Sequence, residues 1–253
     1  MSISLKKPIE IEYMRKSSIL VAKALNYLSK EVSIGMSLAE IDALGEDYIR
    51  SNGGIPSFKG LYGFKGSVCI SLNEVIIHGV PTDSISLKDG DILGLDIGVE
   101  IDGWFGDAAI TIPIGNVSEH NLKLIDCAKD TLYYAIDIIK PNMRFKELSF
   151  EIEKYIFSKG FFPLHNYCGH GIGSKPHEDP QILNYLEGKK NQGPKIKNNM
   201  VFCVEPMITQ KLSKSKVLDD GWSVTSEDGL FGSHYEHTIA VYDNKAHILS
   251  KEE

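Results

Sequence analysis

The chain repeats itself. Met36–Pro56 lies over Met143–Pro163 at a constant offset of 107 residues, with Met36 on Met143, Glu40 on Glu147, Tyr48-Ile49 on Tyr155-Ile156, Ser51 on Ser158 and Pro56 on Pro163. Further along, at an offset of 109, Lys88 falls on Lys197, Ile92 on Val201, Leu95 on Val204 and Asp96 on Glu205. Such a repeat constrains the fold more than any single motif, because each copy must form the same unit and bury its apolar face against neighbours. The expectation is one domain, residues 1–253, of two similar α+β halves, about 1–115 and 116–253, related by a pseudo-twofold axis.

Each half reads as helices followed by strands. Residues 11–31 carry Ile11, Met14, Val21, Leu25 and Leu28 near one helical face. A second helix opens at Ser37, where Ser37 and Glu40 form a capping box, and closes at Gly53-Gly54. Short strands are expected at 67–72 and 74–80. In the second half, 118–140 (Leu122, Ile125, Leu132, Ile136 and Ile139 buried, Pro141 as the stop) and 145–159 read as helices. Strands are then expected at 163–169, 200–209 and 235–242, with a His-rich loop as far as Pro180.

Between the helix pairs lies KDGDILGLDIGVEIDGWFGDAAITI, Lys88 to Ile112. Its apolar runs, 92–99 and 108–112, flank a turn at Ile101-Asp102-Gly103 and predict a hairpin. Asp96 and Asp107 interrupt those runs. A buried carboxylate is costly unless paired, hydrogen-bonded or bound to a cation. Taken alone, the two could equally stand at strand ends, facing water. The repeat supplies KNNMVFCVEPMI and YEHTIAVY as the second hairpin, with Glu205 matching Asp96 and Glu236 taking the place of Asp107. Four carboxylates then converge, and a buried charge of −4 needs compensation. Two divalent cations provide it. Oxygen-rich ligation with one nitrogen suits Mn, Fe, Co or a catalytic Zn pair, and such pairs activate a shared water.

The nitrogen donor is His170, set among Gly169, Gly171 and Gly173 in CGHGIGSKPHEDP, a loop that also holds His177. His78, in VIIHGVP, ends a strand before a turn, where catalytic groups are commonly presented. His120, His165 and His247 have no such setting. His234 and His237 flank Glu236, and strand alternation turns His237 away from the acid's face. Trp222 is either a loop anchor or a pocket wall.

Composition excludes several classes. A formal net charge of −7 argues against nucleic-acid binding. The lysine groups at 211, 214 and 216 and at 189 and 190 read as solvated loops. The cysteines Cys69, Cys127, Cys168 and Cys203 have neither CxxC spacing nor a disulfide pattern, which suits a reducing cytoplasm. The charged N-terminus does not read as a signal peptide, and no apolar run approaches a membrane span. A soluble intracellular protein is expected.

Asp96, Asp107, His170, Glu205 and Glu236, in the settings LDIG, GDAA, CGHGIG, VEPM and YEHTI, resemble the metal ligands of the methionine aminopeptidases. SVCISLNEVIIHGVP and HEDP resemble the segments carrying that family's two catalytic histidines, here His78 and His177. The resemblance spans almost the whole chain and is closest to the short bacterial type I form. It implies the duplicated pita-bread fold, an antiparallel sheet with helices on its outer face and a dinuclear metal site at the centre. It also implies two divalent ions (Co, Mn, Fe, Ni or Zn). Asp96 is expected on one ion, Asp107 and Glu236 bridging both, and His170 and Glu205 completing the other. A metal-bound hydroxide attacks the carbonyl of the N-terminal methionine, with Glu205 moving the proton and His78 and His177 hydrogen-bonding the scissile amide. The ions also anchor the free α-amine.

The resemblance implies an apolar methionine pocket, matched here by Phe58, Phe64, Cys69 and Trp222, and two departures from it. A tyrosine common in the family is Leu61, and a phenylalanine often found before the second histidine is Pro176. Cleavage is expected only before a small second residue (Ala, Ser, Gly, Thr, Pro, Val or Cys), a rule the chain's own Met1-Ser2 start meets. The implied partners are N-termini of nascent peptides, with room for transient ribosome contact, no membrane and no specific nucleic acid, in a cytoplasmic monomer. A catalytically dead scaffold of this fold that binds partner proteins would have shed some of these ligands, and this chain keeps all of them. A different aminopeptidase on the same fold is disfavoured by the apolar pocket and the short chain.

Overall fold

The computed structural model describes residues 3–212 and 214–252. The Met1-Ser2 start, expected to be processed, lies outside the described residues. Four helices form: α1 (Pro8–Glu31), α2 (Leu38–Ser51), α3 (Glu119–Ile138) and α4 (Phe145–Ser158). The first half adds β1 (Ile55–Pro56), β2 (Cys69–Leu72), β3 (Val75–Ile77), β4 (Ile92–Ile101) and β5 (Trp104–Pro113). The second adds β6 (Phe162–Pro163), β7 (Cys168–Gly171), β8 (Glu178–Leu183), β9 (Val201–Val204), β10 (Met207–Thr209), β11 (Ser215–Val217), β12 (Val224–Ser226), β13 (Gly232–His234), β14 (Glu236–Tyr242) and β15 (Lys245–Ile248).

The main sheet runs β1-β4-β5-β14-β9-β7-β8, with β2 on β4 and β15 on β14, and its recorded pairings are antiparallel. Strand alternation sorts its two faces. Leu93, Leu95, Ile97 and Val99 of β4 pack with Leu20, Val21, Ala24, Leu25 and Leu28 of α1. In the other half Phe202, Val204, Ile239 and Val241 pack with Leu124, Leu132, Leu148 and Ile152 of α3 and α4. Each such Leu, Ile, Val or Phe side chain, fully buried, contributes about 1.5–3 kcal/mol. Asp96, Asp107, Glu205 and Glu236 alternate with these residues and project from the opposite face. The acids therefore interrupt the apolar runs without entering either helix-covered core.

The expected hairpin is longer than its apolar runs suggest, with strands of 10 residues each. Its two-residue turn, Asp102-Gly103, has φ of 53° and 79°, the pattern of a type I′ hairpin. Ser37 caps α2 as expected: its backbone N–H donates to Glu40 Oε2 (2.7 Å), and Glu40 N–H donates to Ser37 Oγ (3.2 Å).

The repeat appears in the hydrogen-bond register. Pro56 opposite Val99 recurs as Pro163 opposite Ile208, and Ile55 opposite Glu100 recurs as Phe162 opposite Thr209. The isolated bridge Ser37–Ser86 recurs as Arg144–Lys195. Gly98–Asp107, Val99–Gly106 and Glu100–Phe105 recur as Met207–His234, Ile208–Ser233 and Thr209–Gly232. By this register the counterpart of Asp107 is His234, and Glu236 corresponds to Ala109, which it faces across the β5–β14 pair. The expectation that Glu236 takes the place of Asp107 is corrected by two residues. Such a slip keeps every side chain on its face, so alternation could not reveal it.

Other boundaries also move. The strand expected over 200–209 is two, β9 and β10, interrupted at Glu205-Pro206, where Pro206 has no N–H for a ladder. The helix expected over 118–140 ends at Ile138, and Leu122 is 39% exposed rather than buried. The stretch of the His-rich loop that reaches Pro180 belongs partly to strand β8. The strand expected over 74–80 is only Val75–Ile77.

Candidate active site

The middle strands gather the acids. Asp96 of β4 and Glu236 of β14 both lie opposite Ala109 of β5, and Asp107 is two residues before Ala109 on the same face. Glu205 follows the end of β9, which pairs with β14 through Val204 and His237. Thr238 locks Asp107 in place by donating from Oγ1 to its carbonyl (2.7 Å) and accepting from its N–H (3.0 Å). Asn184, 1% exposed, donates to the Glu205 carbonyl (2.8 Å).

His170 on β7 faces the acids. Its Nε2 is 3.5 Å from Glu205 Oε1, 4.0 Å from Asp107 Oδ2 and 4.0 Å from Glu236 Oε1. Its Nδ1 lies 3.0 Å from the Gly171 carbonyl. A carbonyl only accepts, so Nδ1 carries the proton and Nε2 turns its lone pair to the acids. The flanking glycines are required by close approach. A Cβ on Gly169 would sit 2.4 Å from the Cys203 carbonyl oxygen, and one on Gly171 would sit 2.1 Å from that of Asp179.

Asp107, Glu205 and Glu236 are 3%, 7% and 3% exposed. Burial, and then repulsion among the acids, pushes Asp107, Glu205 and Glu236 well above the usual carboxylate range. Burial raises Asp96 to about 7, against a hydrogen bond with Asp107. Burial takes His170 down to about 3, so its ring is neutral near pH 7. Among the described residues, Asp96 Oδ1, Asp107 Oδ1, Glu205 Oε1 and Glu236 Oε1 are buried with no hydrogen-bond partner. Buried polar atoms are ordinarily satisfied. Unpaired acid oxygens gathered beside an imidazole lone pair are the donor types of a divalent cation site. Asp107, His170 and Glu236 form such a group with Cys203, and Glu205, His234 and Glu236 form a second.

The five candidate ligands open into a cavity of about 850 Å³, lined also by His78, His177, Phe58, Phe64, Cys69 and Trp222. The structure thus brings every candidate site residue to one space. Phe58, Phe64 and Cys69 form a buried cluster with Leu61, Val80 and Trp222, the Phe64 and Trp222 rings meeting edge to face at 5.2 Å. Cys69 lies opposite Asp96 in the β2–β4 ladder, so the apolar end abuts the acids. Burial, then Asp96, pushes the Cys69 thiol well up, which keeps that wall uncharged. Of the two departures, Leu61 lines the cavity, and Pro176 is not among its lining residues.

His78 has φ of 57°, the left-handed region that β-ending residues seldom adopt. The next residue explains it. A Cβ on Gly79 would lie 2.0 Å from the Ile70 carbonyl oxygen, so the chain runs flush against β2 and turns His78 into the cavity. Strain held by surrounding packing is a mark of functional positions. Burial, then His177, lowers His78 to about 4, leaving a neutral ring with one N–H to donate. His177 stands at the mouth, its ring 4.4 Å from that of His170 and 6.3 Å from that of exposed Tyr62. The loop carrying it is pinned by the part-buried Lys6–Glu178 ion pair at 2.5 Å.

The remaining histidines lie elsewhere, with one exception. His237 turns away, its Nδ1 2.9 Å from Ser250 Oγ and its Nε2 3.3 Å from the Tyr133 hydroxyl. His165 and His247 stack on Tyr185 and Tyr242, and His120 meets Gln210. The exception is His234, which the sequence reading passed over. Its Nε2 is 3.7 Å from Glu205 Oε2 and 3.8 Å from Glu236 Oε2. The available signal was its spacing: two residues before Glu236, it shares that acid's face.

A helix-covered antiparallel sheet with acids and an imidazole at its centre defines a metallopeptidase of pita-bread architecture, and the pattern of metallopeptidase family M24 matches residues 12–243. A methionine aminopeptidase of Helicobacter pylori is 56% identical over 99% of this chain and 100% of its own length. Methionine aminopeptidase 1 of Bacillus subtilis is 40% identical over 97% and 98%. The crystal structure of the Thermotoga maritima methionine aminopeptidase superposes with a TM-score of 0.96, at 36% identity, covering 99% of this chain and 100% of that one. The chain belongs to metallopeptidase family M24 and, within it, to the methionine aminopeptidases.

Proposed function

We propose that the protein removes the initiator methionine from nascent proteins whose second residue is small: Ala, Ser, Gly, Thr, Pro, Val or Cys. The observation that carries this reading is the joining, in one cavity, of unpaired buried acids with an uncharged apolar slot. Asp96, Asp107, His170, Glu205 and Glu236 would hold two divalent ions, of Co, Mn, Fe, Ni or Zn. When bound, such ions supply Lewis acidity and a water acidic enough to act as nucleophile near neutral pH.

The chain's own groups do the rest. Phe58, Phe64, Cys69 and Trp222 receive the methionine side chain and exclude water from it. His78 donates its N–H to the scissile amide nitrogen, and His177 donates to the carbonyl oxygen as it gains charge. A Glu205 carboxylate oxygen takes the proton released on attack and returns it to the leaving amine. The second side chain faces the rim of His177 and Tyr62, where only a small group fits. The reading places the protein in the cytoplasm as a monomer that meets chains as they leave the ribosome; among the described residues no helix is long and apolar enough to cross a membrane.

The test is cleavage of Met-Ala-Ser, Met-Leu-Ser and Leu- and Pro-initiated peptides by chelated protein, with and without each ion. Met-Ala-Ser alone should be cut, and only with metal. Full activity in metal-free protein, or comparable kcat/KM across the peptides, would overturn the reading.

A further inference from the structure

We propose that Glu46 of α2 is a positioning residue for the methionine side chain: it staples together the two ends of the loop that carries the apolar slot. The proposal rests on the reading of that slot as the methionine site and adds the group that holds its shape from behind.

The loop, residues 57–68, joins β1 to β2 and brings Phe58, Leu61, Tyr62 and Phe64 to the cavity. Its tip is exposed. Leu61–Gly63 form one short turn with no buried residue, Gly60, Tyr62 and Gly63 have positive φ, and Tyr62 is 78% exposed. Gly60 N–H donates to the Phe64 carbonyl (2.8 Å) and Phe64 N–H to that of Leu61 (2.9 Å). These bonds shape the turn without tying it to the rest of the chain.

The ties come from one face of α2, where Asp42 and Glu46 stand four residues apart. Asp42 Oδ1 accepts the N–H of Ser67 (2.7 Å) and of Val68 (2.8 Å), which fixes the end of the loop. Glu46 Oε2 accepts from both ends at once, from Lys59 Nζ (2.5 Å) and from Ser67 Oγ (2.9 Å). Residues 59 and 67 thus meet on a single oxygen. The other oxygen, Oε1, accepts from Arg50 Nε (2.8 Å), a neighbour on the same helix. Close approach is built into the helix: a Cβ on Gly45 would sit 2.6 Å from Val68 Cγ2. The bond from Lys59, first among the causes, holds the Glu46 carboxyl down to about 2, so the staple is charged at neutral pH. The repeat uses the position again. Glu153 of α4, at the offset of 107, accepts the Leu186 N–H (3.2 Å).

Phe58 and Phe64 pack with Cys69 and Trp222. Such contacts are non-directional, so they do not set the width of a slot. A loop that had to be ordered as the methionine side chain entered would subtract that ordering from binding. A polar tie already made behind the loop removes the penalty. Lys59 is 45% exposed, and exposed pairs are individually weak, so the effect is modest and falls on binding rather than on chemistry.

The test is steady-state cleavage of Met-Ala-Ser by the manganese-loaded wild type and its Lys59→Met, Glu46→Gln, Lys59→Arg and Arg50→Met variants. Lys59→Met and Glu46→Gln should raise KM about 3–10-fold with kcat within about twofold of wild type. Lys59→Arg keeps the cation and should keep the wild-type KM. Arg50→Met removes a bond to the same carboxylate that does not reach the loop, and KM should not move. Amide hydrogen exchange between residues 58 and 66 reads the loop without turnover. It should quicken in Lys59→Met and stay as in wild type in Arg50→Met. Wild-type KM or wild-type exchange in Lys59→Met would overturn the proposal, as would equal KM rises in Lys59→Met and Arg50→Met. A lower melting temperature with unchanged KM would make Glu46 a stabilising residue and nothing more. A wild type that fails to cut Met-Ala-Ser overturns the methionine slot itself, and the assignment falls with it; the variants overturn the assignment alone.

Discussion

The two halves started from one plan and now do different work. In the first, β4 and β5 are unbroken strands joined by a two-residue turn, and they offer the short carboxylates Asp96 and Asp107. In the second, the same ladder is broken at Glu205-Pro206 and again at Tyr235, and residues 210–231 replace the turn. That excursion contains β11 and β12, the latter pairing with β3 of the first half, and it carries Trp222 to the cavity. The second half thus supplies longer glutamates, both flanking imidazoles and part of the apolar wall. A rigid hairpin can fix two aspartates close to the backbone. Side chains that reach past it must come from the half whose ladder has loosened.

The largest test of this division lies in the first half. If Asp107 is shared between two ions and Asp96 serves one, as proposed above, Asp107 should be the less replaceable. Asp107→Asn should lower kcat/KM by more than about 10³-fold, beyond the loss of a single charge-stabilising donor, and should weaken both ions. Asp96→Asn should keep one ion bound and lose the other. Equilibrium dialysis measures both, and equal losses in the two variants would erase the distinction.

His78 comes next. It too belongs to the first half, is held at φ 57° and is outside the ligand set. If its N–H bonds the amide nitrogen as that atom turns tetrahedral, the interaction is stronger in the transition state than in the ground state. His78→Ala should therefore fold and bind metal normally while kcat falls on the order of 10²–10³-fold, about 3–4 kcal/mol, with KM moving less. A variant with normal kcat but a lower melting temperature would make His78 a packing residue.

Much of this was legible in the sequence, for physical reasons. The repeat, the hairpin and the faces of Asp96 and Asp107 follow from periodicity, and periodicity survives folding because it records burial. The correspondence of Asp107 with His234 was not legible. It depends on the register set across the break between β13 and β14 at Tyr235, and no local pattern encodes that. Leu122 misled because a helical stripe indicates which face is apolar but not whether a neighbour reaches its first turn. The Lys6–Glu178 pair joins residues 172 apart in sequence, beyond any spacing rule.

The titration of the centre gives the third prediction. In metal-free protein, the raised pKa of Asp96, about 7, and of Asp107, Glu205 and Glu236 means that their contribution to stability is fully present below the unfolded values. It is lost as pH rises through the folded values. His170 and His234, both lowered to about 3 by burial, act oppositely: their contribution is present above 6.5 and is lost as pH falls toward 3. Ions bind ionised carboxylates and neutral imidazoles. The rise in melting temperature on adding saturating manganese should therefore be several degrees larger at pH 8 than at pH 5.5. Equal rises would mean that the acids are already ionised without metal.

The smallest expected effect returns to the repeat. Helices α2 and α4 begin at equivalent positions, and both Glu40 and Glu147 reach back to accept the N–H of the residue at the cap, at 2.7 Å in each case. The cap residues differ. Ser37 Oγ accepts the Glu40 N–H, while Arg144 has no acceptor to offer and its Nη1 donates to the Gly193 carbonyl at 2.5 Å. A serine cap lost to alanine costs about 1 kcal/mol. Ser37→Ala should lower the unfolding free energy by about that amount, seen as a melting shift of about 2–4 °C for a chain of this size. Arg144→Ala removes only an exposed side-chain bond and should shift melting by less than half as much. The comparison is made on metal-free protein, so that neither variant is rescued by ions. Equal shifts would show that the two helix starts remain energetically equivalent despite their different caps, and that the glutamate half of the box carries both.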